Sequence, residues 1–244
     1  MRIISLVPSW TETLIESGIY PVGRTRFCIH PKDKVASIPI VGGTKTADWN
    51  LIREMKPDLL ILDREENPRD FSEKNIPFWA SHVTDGESLS RALKELAEIF
   101  KNEKLKLLSQ LANQINEFKN TEEKLQLAIL DQLTPFEKNQ EFAYMIWRHP
   151  WMSVAKETYI GFVLQKLGIK LHDWQMPNVK YPEVLLEPNL NYLFSSEPFP
   201  FAKKKNELLM LNLKGAIVDG EKISWFGIRS LNFLQKSLGL SDPL

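Results

Sequence analysis

The sequence predicts an α/β fold made of two halves with mostly parallel sheets, separated by a helical segment. Short apolar runs alternate with amphipathic stretches in the first third of the chain, which is typical of β-α-β units. The middle shows helical periodicity without strand signals, and the alternation returns in the last third. We therefore expect three parts, over residues 1–84, 85–139 and 140–244.

The first third contains apolar runs typical of buried parallel strands. They predict strands at 2–7, 21–24, 38–41, 59–62 and 77–79. Ser9 and Glu12 have the spacing of a capping box, which predicts a helix that begins there and ends at Gly18. Further helices are predicted over 48–55 and near 68–74.

The middle of the chain is predicted to be helical. Thr84 and Glu87 form a second capping-box pair, followed by an apolar stripe at helical spacing up to a break at 101–103. The stripe continues to 119, and at 1.5 Å per residue a helix over 103–119 would be about 25 Å long. Residues 120–139 are expected to form further helix and loop.

The last third repeats the alternation of strand and helix. Strands are predicted at 142–147, 191–195 and 216–218, and helices at 156–167, 201–210 and 227–238. Two α/β halves separated by helix make the cleft between them the natural ligand site.

Composition and charge exclude several classes of partner. The 31 basic residues equal the 31 acidic ones, so neither a nucleic acid nor a polybasic contact with a membrane is expected. No stretch approaches the roughly 20 apolar residues of a membrane-spanning helix, so we expect no membrane insertion. Cys28 is the single cysteine and cannot form an internal disulfide. If Met1 is the true start, the protein is expected in the cytoplasm; the alternative is a periplasmic protein whose leader is absent from this numbering.

Motifs of catalysis and metal binding are missing from the sequence. It has no G-x-S-x-G elbow, P-loop or dinucleotide-binding glycine motif, and its four histidines lack metal-site spacing. We therefore expect no catalytic residues, no protein-built metal site and no intrinsic cofactor. His30 and His149 follow predicted strands, where ligand groups usually lie in open sheets. Each is either a ligand contact, even an axial ligand to a metal carried by the bound molecule, or a plain loop histidine.

Aromatic residues near strand ends are the stronger signal for a ligand. Trp147, Trp151 and Trp225 offer flat faces suited to a large planar molecule, and Arg148 and Arg229 could meet its carboxylates or phosphate. The alternative is that these tryptophans pack the two halves together.

The opening of the chain resembles a known family of receptors. Residues 2–14, RIISLVPSWTETL, resemble the opening of the cobalamin- and siderophore-binding receptors of ABC importers, the helical-backbone metal receptors, in which a strand leads into a Pro-Ser turn and a Thr-Glu helix start. The resemblance continues at 22–25, 42–44 and 51–62. Weaker matches follow in the same order along the chain at 142–147, 157–168 and 225–238, so the resemblance covers nearly the whole chain.

This resemblance implies two Rossmann-like lobes with mostly parallel sheets, joined by a rigid long backbone helix, here within 103–119. It implies a non-enzymatic protein that captures a metal chelate between the lobes with little hinge motion. The chelate would be a cobalamin-like corrinoid, haem or a ferric siderophore, and the partner an ABC importer permease.

The resemblance also implies positions for the ligand site. The loop from Phe27 to His30 and the residue Trp225 match positions that border the ligand, and the turn at Pro8 to Trp10 matches one that faces the cleft. Residues 42–45 match another ligand-facing loop, but the family's tryptophan in that loop is replaced here by small or polar residues. Together with the aromatic signal, the predicted ligand-binding residues are Pro8, Ser9, Trp10, Phe27, His30, Thr44, Lys45, Trp147, Arg148, Trp151, Trp225 and Arg229.

Two departures keep alternatives open. No leader or lipid-attachment cysteine is visible. Of the two importer-docking acids that the resemblance implies, Glu65, Glu66 or Asp70 would serve on the first lobe, whereas Gly227 stands where an acid is expected on the second. A cytoplasmic enzyme or chelate-handling protein that uses the same cleft is one alternative, and it should show an acid–base pair with perturbed pKa values. A ligand-free interaction protein is the other.

Overall fold

The computed structural model describes residues 1–120 and 122–241, which form two separate sheets with helices around them. The first sheet is entirely parallel, with the strand order β2-β1-β3-β4. Its strands are β1 (Ile3–Ser5), β2 (Gly23–Arg24), β3 (Leu59–Asp63) and β4 (Phe78–Ser81).

The second sheet has five strands in the order β5-β9-β8-β6-β7. They are β5 (Ile129–Thr134), β6 (Phe142–Trp147), β7 (Met152–Ser153), β8 (Asn191–Ser195) and β9 (Lys214–Val218). The three central strands are parallel, and the two edge strands β5 and β7 are antiparallel. The predicted α/β fold with mostly parallel sheets is thereby confirmed.

The described residues contain nine α-helices and three short 3-10 helices. The α-helices are α1 (Pro8–Glu16), α2 (Lys32–Val35), α3 (Trp49–Glu54), α4 (Gly86–Phe100), α5 (Glu103–Glu117), α6 (Tyr159–Lys166), α7 (Lys205–Leu209), α8 (Gly220–Ser224) and α9 (Ile228–Leu238). The 3-10 helices are Arg69–Glu73, Leu125–Ala128 and Phe201–Lys204. In the described part of the chain, none of the helices combines the length and apolar character that a membrane crossing requires.

The first residues of α1 and α4 differ from those predicted. Val7 is the N-cap of α1 and Pro8 its first helical residue, so Ser9 lies inside the first turn and does not cap. Proline suits that position because its missing N–H has no partner to lose there. At α4, Asp85 takes the place expected for Thr84 and forms a capping box with Ser88.

Helices α4 and α5 form the helical segment between the sheets. The predicted break between them is confirmed: Lys101 ends α4 in the left-handed region and Asn102 caps α5. The two helices pack tightly, and the Ser90 and Ser109 hydroxyls each donate to the other residue's carbonyl oxygen, at 2.9 and 2.8 Å. The 15 residues of α5 span about 22 Å. The apolar side chains of α5 pack in one hydrophobic core together with side chains from both sheets.

Two predictions about short strands are wrong. Residues 120–139 were expected to be helix and loop, yet 129–134 form β5, whose alternating exposure and broken register on β9 hide it from a periodicity argument. Residues 38–41 form only an isolated bridge between Arg24 and Ile40 instead of a strand.

The last helix crosses back to the first lobe. Gly227, just before α9, has a φ of +90°, and a Cβ there would lie 2.3 Å from the Thr13 hydroxyl of α1. The Ile228 amide donates to that hydroxyl at 3.1 Å. The lobes are therefore in direct contact at α1 and α9, in addition to their connection through α5.

Candidate functional site

The loops that follow the parallel strands of both sheets meet in one cleft. In the first lobe these are the loops after β2, β3 and β4, and in the second lobe those after β8 and β9. Contacts across the cleft link His30 to Glu221, which follows β9, and Glu65 to Lys180, which lies in the segment between α6 and β8. The carboxyl ends of parallel strands are where α/β proteins bind ligands, so this cleft is the candidate site.

One edge of the cleft is closed by a network around Arg229. Its guanidinium donates to both carboxylate oxygens of Glu12, at 2.6 and 2.8 Å, and also contacts Glu221 at 3.0 Å. Glu221 in turn lies 3.0 Å from the His30 ring. The Trp225 ring meets His30 edge-on at 5.6 Å and has the Arg229 guanidinium 5.4 Å from its centre.

The opposite edge is bridged by Glu65. Its carboxylate accepts hydrogen bonds from Lys180 and from the Tyr181 hydroxyl, the latter at 2.7 Å, and lies 3.2 Å from the His82 ring. Burial works against ionisation, but these donors outweigh it and lower the pKa of Glu65. The Lys45 ammonium donates to the Glu65 carbonyl at 2.8 Å. We call Glu65, Lys180 and Tyr181 the lobe bridge.

Three further carboxyl groups lie between these edges: Asp63, Glu66 and Glu197, which we call the acidic cluster. Burial, followed by the charges of Asp63 and Glu197, raises the pKa of Glu66 to about 7. Burial also raises the pKa values of Asp63 and Glu197. Glu197 accepts from the Trp225 indole at 2.7 Å and from the Ser224 hydroxyl at 2.9 Å.

The cleft that the sequence predicted between the lobes is crossed by side chains of the protein itself. A cavity of about 600 Å³ lies within the second lobe between 155–157 and 172–182, and two others lie on the first lobe. Oppositely charged side chains on facing loops attract each other and cross the cleft at both edges. Among residues 1–120 and 122–241, no three His, Cys, Asp or Glu side chains are grouped to hold a metal ion.

Of the predicted site residues, His30, Trp225 and Arg229 come together at one edge of the cleft. Phe27 and Lys45 lie on loops of the first lobe: the Phe27 ring is 48% exposed with the Arg26 guanidinium 5.1 Å above it. The Thr44 carbonyl accepts from Asn67 at 2.9 Å, which ties the 42–45 loop to the loop after β3.

Pro8, Ser9 and Trp10 are placed in the core. Trp10 is fully buried, and its indole donates to the Ser81 hydroxyl at 2.7 Å and packs against Trp79 and Phe226. The start of α1 is covered by the chain preceding α9, so Trp10 offers no ligand-facing surface in this structure.

Trp147, Arg148 and Trp151 contact other parts of the second lobe. Trp147 meets Phe199 edge-on, Arg148 pairs with Glu207, and Trp151 stacks on Phe201. They form no contact with Trp225 among the described residues. Their role in binding stays a prediction.

Two members of the acidic cluster, Asp63 and Glu66, belong to the acidic run 63–67, which the sequence offered as a partner-docking patch, as part of the cleft rim or as a solvated loop. Glu65, Glu66 and Asp70 were also considered as importer-docking acids; in the structure Glu65 pairs with Lys180 of the second lobe, and Asp70 is exposed and pairs with Lys74. Glu197 was not singled out at all. The position of Glu197 could have indicated the site, because it lies two residues after a buried strand, at the carboxyl end of the sheet.

Comparison with protein families gives a match over most of the chain. A family model described as periplasmic binding protein matches residues 3–175. Comparison with curated proteins gives no match.

Several solved structures share the fold at low sequence identity. The periplasmic vitamin B12 binding protein BtuF of Vibrio cholerae is 17% identical, with a TM-score of 0.70 over 98% of this chain and 95% of that one. IsdE of Staphylococcus aureus, solved with haem, is 12% identical, with a TM-score of 0.71 over 97% and 96%. An ABC transporter substrate-binding protein of Listeria monocytogenes is 15% identical, with a TM-score of 0.70 over 97% and 96%.

Proposed function

The chain belongs to the periplasmic binding protein family, and on that premise we propose that it is a non-enzymatic protein that binds a metal chelate between its two lobes. The ligand would be a cobalamin-like corrinoid, haem or a ferric siderophore. One observation carries the proposal: the loop after β2 and the segment after β9 meet at the carboxyl ends of the two sheets, where His30 contacts Glu221 and lies against the Trp225 ring.

Trp225 is the main stacking surface in this proposal. Its indole N–H is held by Glu197 and the Arg229 guanidinium lies against its ring, so its orientation is set before a ligand arrives. A side chain already fixed in place loses little entropy on binding. Phe27, half-exposed on the facing lobe, would contact the ligand from the other side.

Ligand access requires that the lobe bridge opens. The Glu65 and Lys180 side chains are 30% and 34% exposed, and ion pairs of this kind contribute about 0–1 kcal/mol. The network around Arg229 is more buried and more extensive. We therefore expect the lobes to part at the Glu65 edge while α1 and α9 stay together.

We further propose that the protein delivers its ligand to an ABC importer permease. The matched family is described as periplasmic, and this does not support the cytoplasmic location that the sequence favoured. The BtuF and Listeria relatives are described as a periplasmic vitamin B12 binding protein and an ABC transporter substrate-binding protein.

One observation favours an enzyme as the second candidate. Glu66, with a pKa of about 7, has the property of a general acid or base and lies beside two other carboxyls in the cleft. Incubation of the protein with a bound corrinoid, followed by mass spectrometry of the ligand, separates the two: an unaltered ligand supports binding alone, and a changed mass supports catalysis.

The proposal is tested by titrating the protein with corrinoids, haem and ferric siderophores while tryptophan emission and ligand absorption are recorded. We expect one class to bind at a 1:1 ratio and to quench emission. Absence of binding across the whole panel would remove the chelate proposal.

A further inference from the structure

The outer edge of β4 differs from the other sheet edges in the part of the chain that the structure describes. The outer side of β2 is paired with residues 39–41, since Arg24 donates to the Pro39 carbonyl at 3.0 Å and accepts from Val41 at 2.8 Å. Strand β7 is paired in the same way with residues 182–184, and β5 is broken by two register shifts. Pairing and irregularities of this kind keep a strand edge from binding other chains. The edge of β4 has neither.

The backbone groups along this outer edge belong to Phe78 and Ala80. The carbonyls of Pro77 and Ser81 accept hydrogen bonds from Leu60 and from the residue that follows β3, at 2.9 and 3.0 Å, so these residues face β3. Neighbouring residues of a strand direct their N–H and C=O groups to opposite sides, and those of Phe78 and Ala80 therefore face outward. Within the ranges 1–120 and 122–241 these outward groups have no hydrogen-bond partner.

A cavity lies beside the edge on each face of the sheet. Phe78 and Ser81 point to opposite faces, because side chains alternate along a strand. A cavity of about 540 Å³ is lined by Phe78 and by residues between 62 and 72, and one of about 260 Å³ is lined by Ser81 and one side of α4. Ala80 borders both. An added strand would direct its side chains alternately into the two cavities.

Arginine side chains line both cavities. Arg64 borders both, Arg69 the larger and Arg91 the smaller, and none of the three forms an ion pair with any residue that the structure describes. The same cavities have two carboxylates, of Asp63 and Glu95, and each already accepts a hydrogen bond from a serine or an indole of the protein. The three guanidinium groups can therefore bind carboxylates supplied from outside.

A second copy of this chain is a poor match for this edge. Pairing of β4 with the β4 of another molecule would bring the same arginines together from both sides. Like charges on facing strands destabilise the pairing, whereas opposite charges stabilise it. The charge of the edge therefore favours an acidic partner.

We propose that an extended acidic segment of another protein adds to the first sheet as a further strand at the edge of β4. Its backbone would pair with the outward groups of Phe78 and Ala80. Its carboxylates would reach Arg64 and Arg91 on the face of α4, or Arg69 on the other face. This partner is independent of the ligand that the cleft binds.

The test uses a fluorescently labelled peptide of sequence EVEVEVE, which as a strand has its glutamates on one face and its valines on the other. The peptide EVEPEVE keeps the charge but disrupts strand pairing, because proline lacks the N–H. The peptide KVKVKVK reverses the charge. Fluorescence anisotropy at low salt measures binding to the full chain, and amide hydrogen exchange followed by NMR reports on the Ala80 N–H.

Variants of the protein separate backbone pairing from charge. Ala80→Pro removes the outward N–H, and an edge strand tolerates proline where that N–H faces solvent. Arg64→Gln and Arg91→Gln each remove one charge. Arg53→Gln is the matched control, since Arg53 is exposed on α3 and lines neither cavity. Circular dichroism and thermal unfolding establish that each variant is folded, and EVEPEVE tests backbone pairing if Ala80→Pro is not.

We expect EVEVEVE to bind the wild type and to slow exchange of the Ala80 amide. Ala80→Pro in the protein, or proline in the peptide, should weaken binding by about fivefold or more, as for one lost hydrogen bond. Arg64→Gln and Arg91→Gln should each weaken it by about twofold to fivefold, as for an exposed ion pair. Arg53→Gln should leave binding unchanged.

Absence of EVEVEVE binding would overturn the proposal and would mean that the arginines only keep the edge from pairing. Equal binding of EVEPEVE would show attraction by charge without strand addition, and equal binding of KVKVKVK would overturn the preference for an acidic segment. A dimer of the wild type in sedimentation experiments, lost in Ala80→Pro, would assign the edge to a second copy of this chain instead.

Discussion

Arg229 and Glu12, 217 residues apart, form a two-point ion pair that joins the last helix to the first, with distances of 2.6 and 2.8 Å. The Glu12 side chain is only 11% exposed. The opposite edge of the cleft depends on the lobe bridge, whose members are about one-third exposed. We expect the less buried edge, at the lobe bridge, to open, and four predictions rest on this difference and on the groups nearby.

Replacement of Arg229 by Met should destabilise the protein by about 3 kcal/mol, because it leaves the buried Glu12 carboxylate without its cation. The free energy of unfolding in urea measures the loss. Lys236→Met is the matched control, since Lys236 is exposed on the same helix. A loss below about 1 kcal/mol for Arg229→Met would mean that the ion pair contributes no more than a surface pair.

Replacement of Gly227 by Ala should cost more than the same change at Gly239. Both glycines have positive φ, but a Cβ at Gly227 would meet the Thr13 hydroxyl at 2.3 Å, whereas none of the described atoms lies within 4 Å of one at Gly239. We expect about 1 kcal/mol for Gly239→Ala and about 1–3 kcal/mol more for Gly227→Ala, measured by urea unfolding. Equal costs would show that α1 and α9 adjust without loss.

Weakening of the lobe bridge should strengthen ligand binding. Lys180→Met or Tyr181→Phe removes a contact that the ligand must break, so the apparent dissociation constant should fall by roughly twofold to fivefold and association should become faster. Stopped-flow tryptophan emission measures both. Lys170→Met is the control, because Lys170 pairs with Glu141 within the second lobe. Weaker binding would instead place Lys180 or Tyr181 against the bound ligand.

Stability should fall between pH 5 and 8 because of Glu66. Its folded-state pKa of about 7 lies above the ordinary value of 4.5, so its contribution is complete below pH 4.5 and is lost as the pH rises through 7. Relative to Glu66→Gln, the wild type should lose up to about 3 kcal/mol over this range, at about 1.4 kcal/mol per pKa unit. Urea unfolding at several pH values measures the difference. Parallel curves would contradict the raised pKa.

The strands that the sequence predicts well are those buried on both faces. Residues 142–147 are a continuous apolar run, residues 192–194 form the apolar centre of 191–195, and both segments are strands with the predicted bounds. Strand β5 lies at a sheet edge, where half its side chains meet water, and Asp131 and Gln132 weaken its apolar pattern. The N-cap of α1 was also not predictable. Val7 caps this helix without a side-chain hydrogen bond, so the sequence has no capping residue at that position.

The site was predictable in its location and only partly in its chemistry. His30 and Trp225 were expected at the ligand and do meet across the cleft. The pair of Glu12 and Arg229 and the approach of Glu66 to Glu197 depend on how two lobes are oriented, which no local spacing encodes. Trp10 shows the converse: its place after the first strand suggested the cleft, but packing against Trp79 and against Phe226, which precedes α9, buries it.

Native mass spectrometry of the protein purified from its own cells tests the central claim most directly. We predict a 1:1 complex whose added mass and isotope pattern match a metal chelate, released when the protein is denatured. Protein that appears only at its own mass, and that stays so after incubation with corrinoids, haem and ferric siderophores, would contradict the claim that the lobes enclose such a ligand.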